Sequence, residues 1–197
     1  MERSTKPLRA LALVGMPGSG KTLCAKHLEA RGFYQFRFGG IVVDEVVRRG
    51  LPITPENERI VREEFRKNEG MDVMAKRALP HLYAALETHP VIVIDGLYSF
   101  SEYKTLHTEF DSGLIVVAII SSRLKRYERL TKRGERPLTL AEAEERDFLE
   151  IERLEKGGPI AMADYTLLND GEPEVLLEKL DALLDKLRFY PKITVAN

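Results

Sequence analysis

The 197-residue sequence has one cysteine, no long apolar run and almost no net charge. Since Cys24 has no second cysteine to pair with, an internal disulfide framework and a zinc ribbon are both excluded. No stretch approaches the roughly 20 apolar residues of a membrane span. A net charge of −1 gives no general attraction to nucleic acid or to anionic membranes. We therefore expect a cytoplasmic protein that neither spans a membrane nor favours nucleic acid as a partner.

Short apolar runs alternate with helical patterns along the whole chain. Such alternation predicts an α/β fold, here a three-layer αβα sandwich with a parallel sheet of about five strands. Residues 1–197 are expected to form a single domain, with ligand at the carboxyl ends of the strands. The predicted strands cover residues 8–14, 33–38, 90–96, 113–121 and 164–169.

Several helix boundaries can be predicted from capping residues. Thr54 followed by Pro55 is typical of a helix start. The segments 99–102 and 139–142 have the Ser/Thr-x-x-Glu pattern of a capping box. Glycines favour helix ends, because a left-handed residue commonly follows the last turn. Pro80 predicts a kink or a split in the helix expected over residues 72–87.

Residues 15–22 read GMPGSGKT, a complete match to the phosphate-binding P-loop pattern. An apolar strand precedes the octet and a helical pattern follows it, so bound phosphates would lie at a helix N-terminus. Lys21 can reach the β- and γ-phosphates, and the Thr22 hydroxyl can bind Mg²⁺. The alternative is a glycine-rich turn without a ligand. We expect nucleotide contacts from Gly15, Pro17, Gly18, Ser19, Gly20, Lys21 and Thr22.

A second acidic motif, VIVIDG, ends the strand predicted at residues 90–96. An aspartate at the end of an apolar strand is the arrangement that holds Mg²⁺ in P-loop proteins. Asp95 is therefore the expected metal-side carboxylate. The alternative is an aspartate that only caps the turn at Gly96.

A helix rich in arginine follows the fourth strand. Phosphoryl transfer needs mobile positive charge, which a small closing lid over residues 130–146 would supply. Arg129 and Arg133 are the expected catalytic arginines. For Arg123 and Arg126 we favour a solvated helix face, where Glu128 and Glu135 supply opposite charges. Arg146 is left open between a functional role and a surface ion-pair ladder with Glu142 and Glu150.

The segments GMPGSGKT, VIVIDG, RLTKR and ADYTLLNDG, in that order, resemble the nucleoside-monophosphate kinase group. The closest resemblance is to dephospho-CoA kinases and adenylate-kinase-related proteins. It implies Mg-ATP as donor, a short lid and an acceptor-side helical segment at about residues 39–89. It also implies that Asn169, Asp170 and Gly171 pass close to the adenine ring.

Three positions depart from that resemblance on the acceptor side. Adenylate-kinase relatives have Gly-Asp and then an arginine after the second strand, where this chain has Gly40 and Val43. A further arginine follows their Walker strand, where this chain has Tyr98. Valine and tyrosine cannot replace a bidentate arginine at a phosphate. The sequence therefore does not favour ordinary AMP kinase activity.

If the acceptor is a hydroxyl, a carboxylate base is useful. Asp44 is the candidate, and its alternative role is a surface ion pair with Arg48; Arg48 and Arg49 could instead contact an anionic acceptor. The expected function is transfer of the γ-phosphoryl group of Mg-ATP to a small acceptor such as a nucleotide or a dephospho-CoA-like compound. The alternative is a nucleotide-binding switch or slow ATPase. The acceptor, the choice between ATP and GTP, and the oligomeric state stay open.

Overall fold

The computed structural model describes residues 9–134 and 136–191, so Leu8 and Glu135 lie outside the described residues. The strands are β1 (Ala10–Val14), β2 (Tyr34–Arg37), β3 (Ile92–Asp95), β4 (Leu114–Ile120) and β5 (Tyr165–Leu168). The helices are α1 (Lys21–Ala30), α2 (Phe38–Arg48), α3 (Pro55–Glu69), α4 (Val73–Thr88), α5 (Phe100–Phe110), α6 (Arg123–Lys132), α7 (Leu140–Glu152), α8 (Gly157–Ala161) and α9 (Pro173–Leu187), with a 3-10 helix at Asp111–Gly113. In the described ranges no helix is long and apolar enough to cross a membrane.

The five strands form one parallel sheet in the order β2-β3-β1-β4-β5. β1 is fully buried, as expected of a central strand covered on both faces. Ala10 pairs with Ile92 of β3 on one side and with Leu114 of β4 on the other. The predicted P-loop αβα fold is confirmed. Because all strands are parallel, the loops after β1, β3, β4 and β5 meet at one edge of the sheet.

Apolar residues pack on both faces of the sheet. One face is covered by α2, α3, α4 and α5, through side chains such as Phe38, Val61 and Leu82. The other face is covered by α1 and α9, where Leu28 and Leu180 are fully buried. Cys24 lies in this second core, so it is a packed apolar side chain, as the sequence suggests.

The predicted helix boundaries agree with the structure. The Thr54 hydroxyl accepts from the Asn57 amide at 3.2 Å, and both capping boxes are formed. Gly70 ends α3 with φ +98°. α4 runs through Pro80 as one helix, so the predicted split is wrong. The five-residue α8 was not predicted, because a single turn carries no apolar periodicity.

Candidate active site

The loop between β1 and α1 is shaped by glycines in the left-handed region. Gly18 has φ +77°, and a Cβ there would lie 2.7 Å from the carbonyl oxygen of Arg126. Gly15 has φ +146°, and its Cβ would lie 2.4 Å from the carbonyl oxygen of Ile119. The loop is therefore packed closely against β4 and α6. Only residues without a side chain can hold this backbone path.

Lys21 is folded over the loop that precedes it. Its Nζ donates to the carbonyl oxygens of Gly15 at 2.5 Å and Met16 at 3.0 Å. Desolvation, aided by the positive charge of Lys156, lowers the pKa of Lys21 to about 7. Thr22, beside it at the start of α1, is exposed. A bound phosphate would give Lys21 the anionic partner that neutral carbonyl groups cannot supply.

The loop after β5 is fastened to the P-loop through Asn169. Its Nδ2 donates to the Ser19 carbonyl oxygen at 2.8 Å, and its main-chain N–H donates to the Ile120 carbonyl oxygen at 2.7 Å. The neighbouring Ser19 hydroxyl is buried and has no hydrogen-bond partner in the described part of the chain. A buried hydroxyl without a partner is costly, which suits a site that takes a polar ligand.

Asp95 is half-buried at the carboxyl end of β3, in register with Leu13 of the neighbouring strand β1. The Nε of Arg37 lies 3.9 Å from the Asp95 Oδ2. The negative charge of Asp95 also raises the pKa of Lys21, against the larger lowering effect of burial. Within the described ranges, no cluster of three His, Cys, Asp or Glu side chains forms a metal cage. Thr22 and Asp95 instead fit Mg²⁺, which commonly takes one or two protein oxygens and completes its shell with phosphates and water.

A cleft of about 390 Å³ lies between α6 and the loop before α9. Arg129, Arg133, Asp170 and Gly171 contribute to its walls. Arg129 donates to the Ser121 hydroxyl and to the Asn169 carbonyl oxygen, both at 2.8 Å. The Nε of Arg133 donates to the Arg136 carbonyl oxygen at 2.5 Å. The structure thus brings together the two predicted catalytic arginines and the segment predicted to border the adenine.

Arg126 is buried, so its predicted place on a solvated helix face is wrong. Its guanidinium donates to both carboxylate oxygens of Asp147 on α7, at 2.9 and 2.6 Å, and to the Pro17 carbonyl oxygen at 3.1 Å. The Tyr127 hydroxyl donates to the same carboxylate at 3.2 Å. These contacts join α6, α7 and the P-loop. The sequence analysis did not predict this ion pair, because Asp147 lies far from Arg126 in the sequence.

The other two arginines of uncertain role lie at the surface. Arg123 is exposed and 3.6 Å from Glu144, as predicted for a solvated position. The Nε of Arg146 donates to Glu150 at 3.0 Å. The other half of the proposed ladder is absent in the described structure, because the Glu142 carboxylate accepts from the Thr139 main-chain N–H at 2.7 Å.

Asp44 is exposed on α2, and the alternative ion pair with Arg48 is wrong. Arg48 instead donates twice to Glu45, both times at 2.7 Å. Arg49 is shared between Glu45 at 2.8 Å and Glu64 at 2.5 Å. Both arginines therefore already have carboxylate partners.

Comparison with known proteins places the chain in a family. A protein-family model described as an AAA domain matches residues 11–150. A UPF0200 protein of Thermococcus gammatolerans is 40% identical over 178 residues, which cover 89% of this chain and 93% of the relative. The chain belongs to the UPF0200 family and carries an AAA domain. A second UPF0200 protein, from Thermococcus kodakarensis, is 39% identical over 178 residues, covering 89% and 96% of the two chains.

Solved structures of kinases share the fold of this UPF0200 protein. A shikimate kinase from Bacteroides thetaiotaomicron has a TM-score of 0.58 at 14% identity, over 90% of this chain and 98% of its own. A gluconokinase from Sinorhizobium meliloti 1021 has a TM-score of 0.52 at 16% identity, over 93% and 98%. Identities this low show a kinase-like P-loop fold alone. The closer kinship with dephospho-CoA kinases stays a prediction.

The UPF0200 chain also carries a group of buried charges around Tyr98 that the sequence did not reveal. We call Arg66, Tyr98, Glu102, Glu150 and Lys156 the Tyr98 cluster. Lys156 forms a close ion pair with Glu150, and its Nζ lies 4.6 Å from the Tyr98 ring centroid. Burial first, then the charges of Asp95 and Glu150, raises the pKa of Tyr98 to about 12. The members of the Tyr98 cluster come from α3, α5, α7, the loop between β3 and α5, and the loop between α7 and α8. No spacing in the sequence could therefore have indicated the cluster.

Proposed function

We propose that this UPF0200 protein is an Mg-ATP-dependent phosphotransferase that moves the γ-phosphoryl group to a small molecule. The observation that carries the proposal is the complete P-loop with Asp95 at the end of the adjacent strand β3. Lys21 and Asp95 are close enough for the carboxylate charge to affect the pKa of the ammonium. Donor phosphates and a metal ion can therefore share one site.

On the donor side, the main-chain N–H groups of Gly15, Gly18, Ser19 and Gly20 would surround the phosphates, and Pro17 would contribute shape only, since it has no N–H. Lys21 would hold the β- and γ-phosphates. Thr22 and Asp95 would hold Mg²⁺, which when bound neutralises phosphate charge. The nucleoside would lie in the cleft beside Gly171, with Asn169 fixing that loop to the P-loop.

Arg129 and Arg133 are proposed to stabilise the transferring phosphoryl group. Arg129 is half-buried and bonded to the loops after β4 and β5, so its position depends on both. Arg133 stands near the end of α6, where the predicted lid begins. Burial and the charges of Arg146 and Arg136 lower the pKa of Arg133. This mutual repulsion is relieved when an anion enters between the cations.

On the acceptor side, Asp44 is proposed as the base toward a hydroxyl. α2 begins at Phe38, which packs beside Gly96 at the end of β3, so the helix starts next to the proposed metal site. Asp44 lies further along and is exposed. A substrate seated between α2 and β3 would have to bring its hydroxyl to that carboxylate. Asp44→Asn should then lower kcat while leaving MgADP binding unchanged.

The test is ADP release in a coupled assay over nucleotides, nucleosides, dephospho-CoA and hydroxylated small molecules. Lys21→Ala should abolish acceptor-dependent release, since the β- and γ-phosphates lose their cation. Lys26→Ala is the matched control, because Lys26 is exposed on the same helix. No turnover with any acceptor, together with equal behaviour of Lys21→Ala and wild type, would refute the proposal.

A nucleotide-dependent switch is the second candidate, and the outer face of α7 favours it. Leu140, Phe148 and Ile151 are 61%, 54% and 50% exposed. Apolar side chains exposed together mark interaction surfaces. A switch would bind a protein partner in only one nucleotide state and would show no acceptor turnover. Efficient phosphorylation of any small acceptor would refute it.

A further inference from the structure

Arg66 of α3 is a buried cation with few partners. Its side chain is 10% exposed, and its Nε has no hydrogen-bond partner in the described residues. The nearest carboxylate belongs to Glu102, with 3.8 Å between Nη2 and Oε1, which is beyond hydrogen-bond distance. Burying an arginine in this state is expensive, because the lost hydration is not replaced.

Glu102 is not available to complete the pair. Its Oε2 accepts from the main-chain N–H groups of Tyr98 at 2.9 Å and Ser99 at 3.0 Å, as part of the capping box of α5. Arg126, the other buried arginine described above, has three hydrogen bonds to Asp147 and Pro17. Arg66 has no side-chain hydrogen bond to any residue in 9–134 or 136–191. Burial accordingly lowers the pKa of Arg66, and Glu102 compensates only in part.

The position of Arg66 connects it with the acceptor side of the site. Glu102 links Arg66 to Tyr98, since its Oε1 lies 3.8 Å from the Arg66 Nη2 and its Oε2 accepts from the Tyr98 main-chain N–H at 2.9 Å. Tyr98 lies three residues after Asp95, just beyond the carboxyl end of β3. Lys156, the other cation of the Tyr98 cluster, forms an ion pair with Glu150 and lies against the Tyr98 ring. Arg66 is therefore the cation of the Tyr98 cluster whose charge is least compensated.

We propose that Arg66 binds an oxyanion, a carboxylate or a phosphate, on the phosphoryl acceptor. The acceptor class is then a small hydroxyl compound that carries such an anion. This inference rests on the proposed phosphotransferase function. An anion at Arg66 would supply the hydrogen bonds that its guanidinium lacks.

The first arm of the test compares acceptors in matched pairs: hydroxy acids with their amides, and sugar phosphates with the free sugars. The anionic compound of each matched pair should be the better substrate. Preference for a hydroxy acid would indicate a carboxylate at Arg66, and preference for a sugar phosphate would indicate a phosphate. Arg66→Gln should raise KM for that substrate by about tenfold or more, with a smaller change in kcat. The KM of Arg66→Lys should lie between the values of wild type and Arg66→Gln, because lysine keeps the positive charge but lacks the planar guanidinium. Arg59→Gln is the control, since Arg59 is 55% exposed on the same helix.

The second arm needs no acceptor and uses sulfate as the probe on MgADP-loaded protein. Wild type and Arg59→Gln should bind sulfate in titration calorimetry at constant ionic strength, while Arg66→Gln should not. The inference would be overturned if neutral acceptors turned over as fast as the anionic acceptors of the matched pairs. It would also be overturned if Arg66→Gln bound sulfate as wild type does. Sulfate binding lost in Arg66→Gln while no acceptor reacts would support the anion site and refute the kinase. Absence of MgADP binding to wild type would refute both.

Discussion

Lys21 can donate hydrogen bonds either to carbonyl groups of the P-loop or to a bound phosphate. In the structure it donates to loop carbonyl groups, and its pKa is lowered to about 7. The unfolded chain would have the ordinary value of 10.5. Since the unfolded state binds more protons between these values, this residue makes the ligand-free protein more stable as pH rises from about 7 to about 10.5. Below pH 7 the full cost of the buried charge is present.

Nucleotide binding should reverse this shift. A phosphate favours the charged form of Lys21, so MgADP binding at pH 8 should take up close to one proton, and affinity should fall as pH rises above 7. At pH 6 the uptake should be small, because Lys21 is already charged. Calorimetry in two buffers of different ionisation enthalpy measures the uptake. Lys26→Ala should behave as wild type. Equal, negligible uptake at both pH values would contradict the lowered pKa.

At the scale of elements, the contact between α6 and α7 depends on one buried ion pair. Arg126→Ala would leave Asp147 buried without its bidentate partner and would remove a donor from the Pro17 carbonyl oxygen. We expect a loss of about 3–5 kcal/mol in the free energy of unfolding. Chemical denaturation of purified protein measures it.

The control is Arg123→Ala on the same helix, where the exposed arginine is 3.6 Å from Glu144. Its effect should stay within about 0.5 kcal/mol. Because Arg126 also touches the P-loop, its variant should weaken MgADP binding, and the control should not. Similar stabilities for the two variants would show that the buried pair contributes little beyond what the apolar contacts of α6 supply.

The sequence predicted those structural elements whose stabilising contacts are local in the chain. Thr54, Ser99 and Thr139 cap their helices through main-chain groups three residues away, so the pattern itself contains the contact. The arginines Arg126 and Arg66, in contrast, lie next to carboxylates that only the fold brings near. Arg126 meets Asp147 of α7, and Arg66 lies 3.8 Å from Glu102 of α5. No periodicity encodes such pairs. The P-loop itself was predictable because its ligand contacts lie in one octet.

At the scale of the whole molecule, bound nucleotide should stabilise the protein through both β1 and β3. At 100 times Kd, MgADP should add about 2.7 kcal/mol to the free energy of unfolding. Part of this gain should disappear when EDTA removes Mg²⁺, and Asp95→Asn should be insensitive to EDTA. Thermal denaturation at fixed nucleotide concentration follows both effects. An equal gain with and without Mg²⁺ in wild type would argue against a metal ion at Asp95.

The strand order has a consequence for biosynthesis. β1 leaves the ribosome first but occupies the centre of the sheet, and Ala10 finds its partners only at Ile92 and Leu114. A nascent chain must therefore hold a fully apolar strand unpaired until Ile92 has been made, and paired on one side only until Leu114 has been made. Long-range parallel pairing of this kind is slow and exposes strand edges that aggregate. The yield of folded protein in a foreign host should accordingly rise more with slowed translation or added chaperones than with substitutions that stabilise the native state.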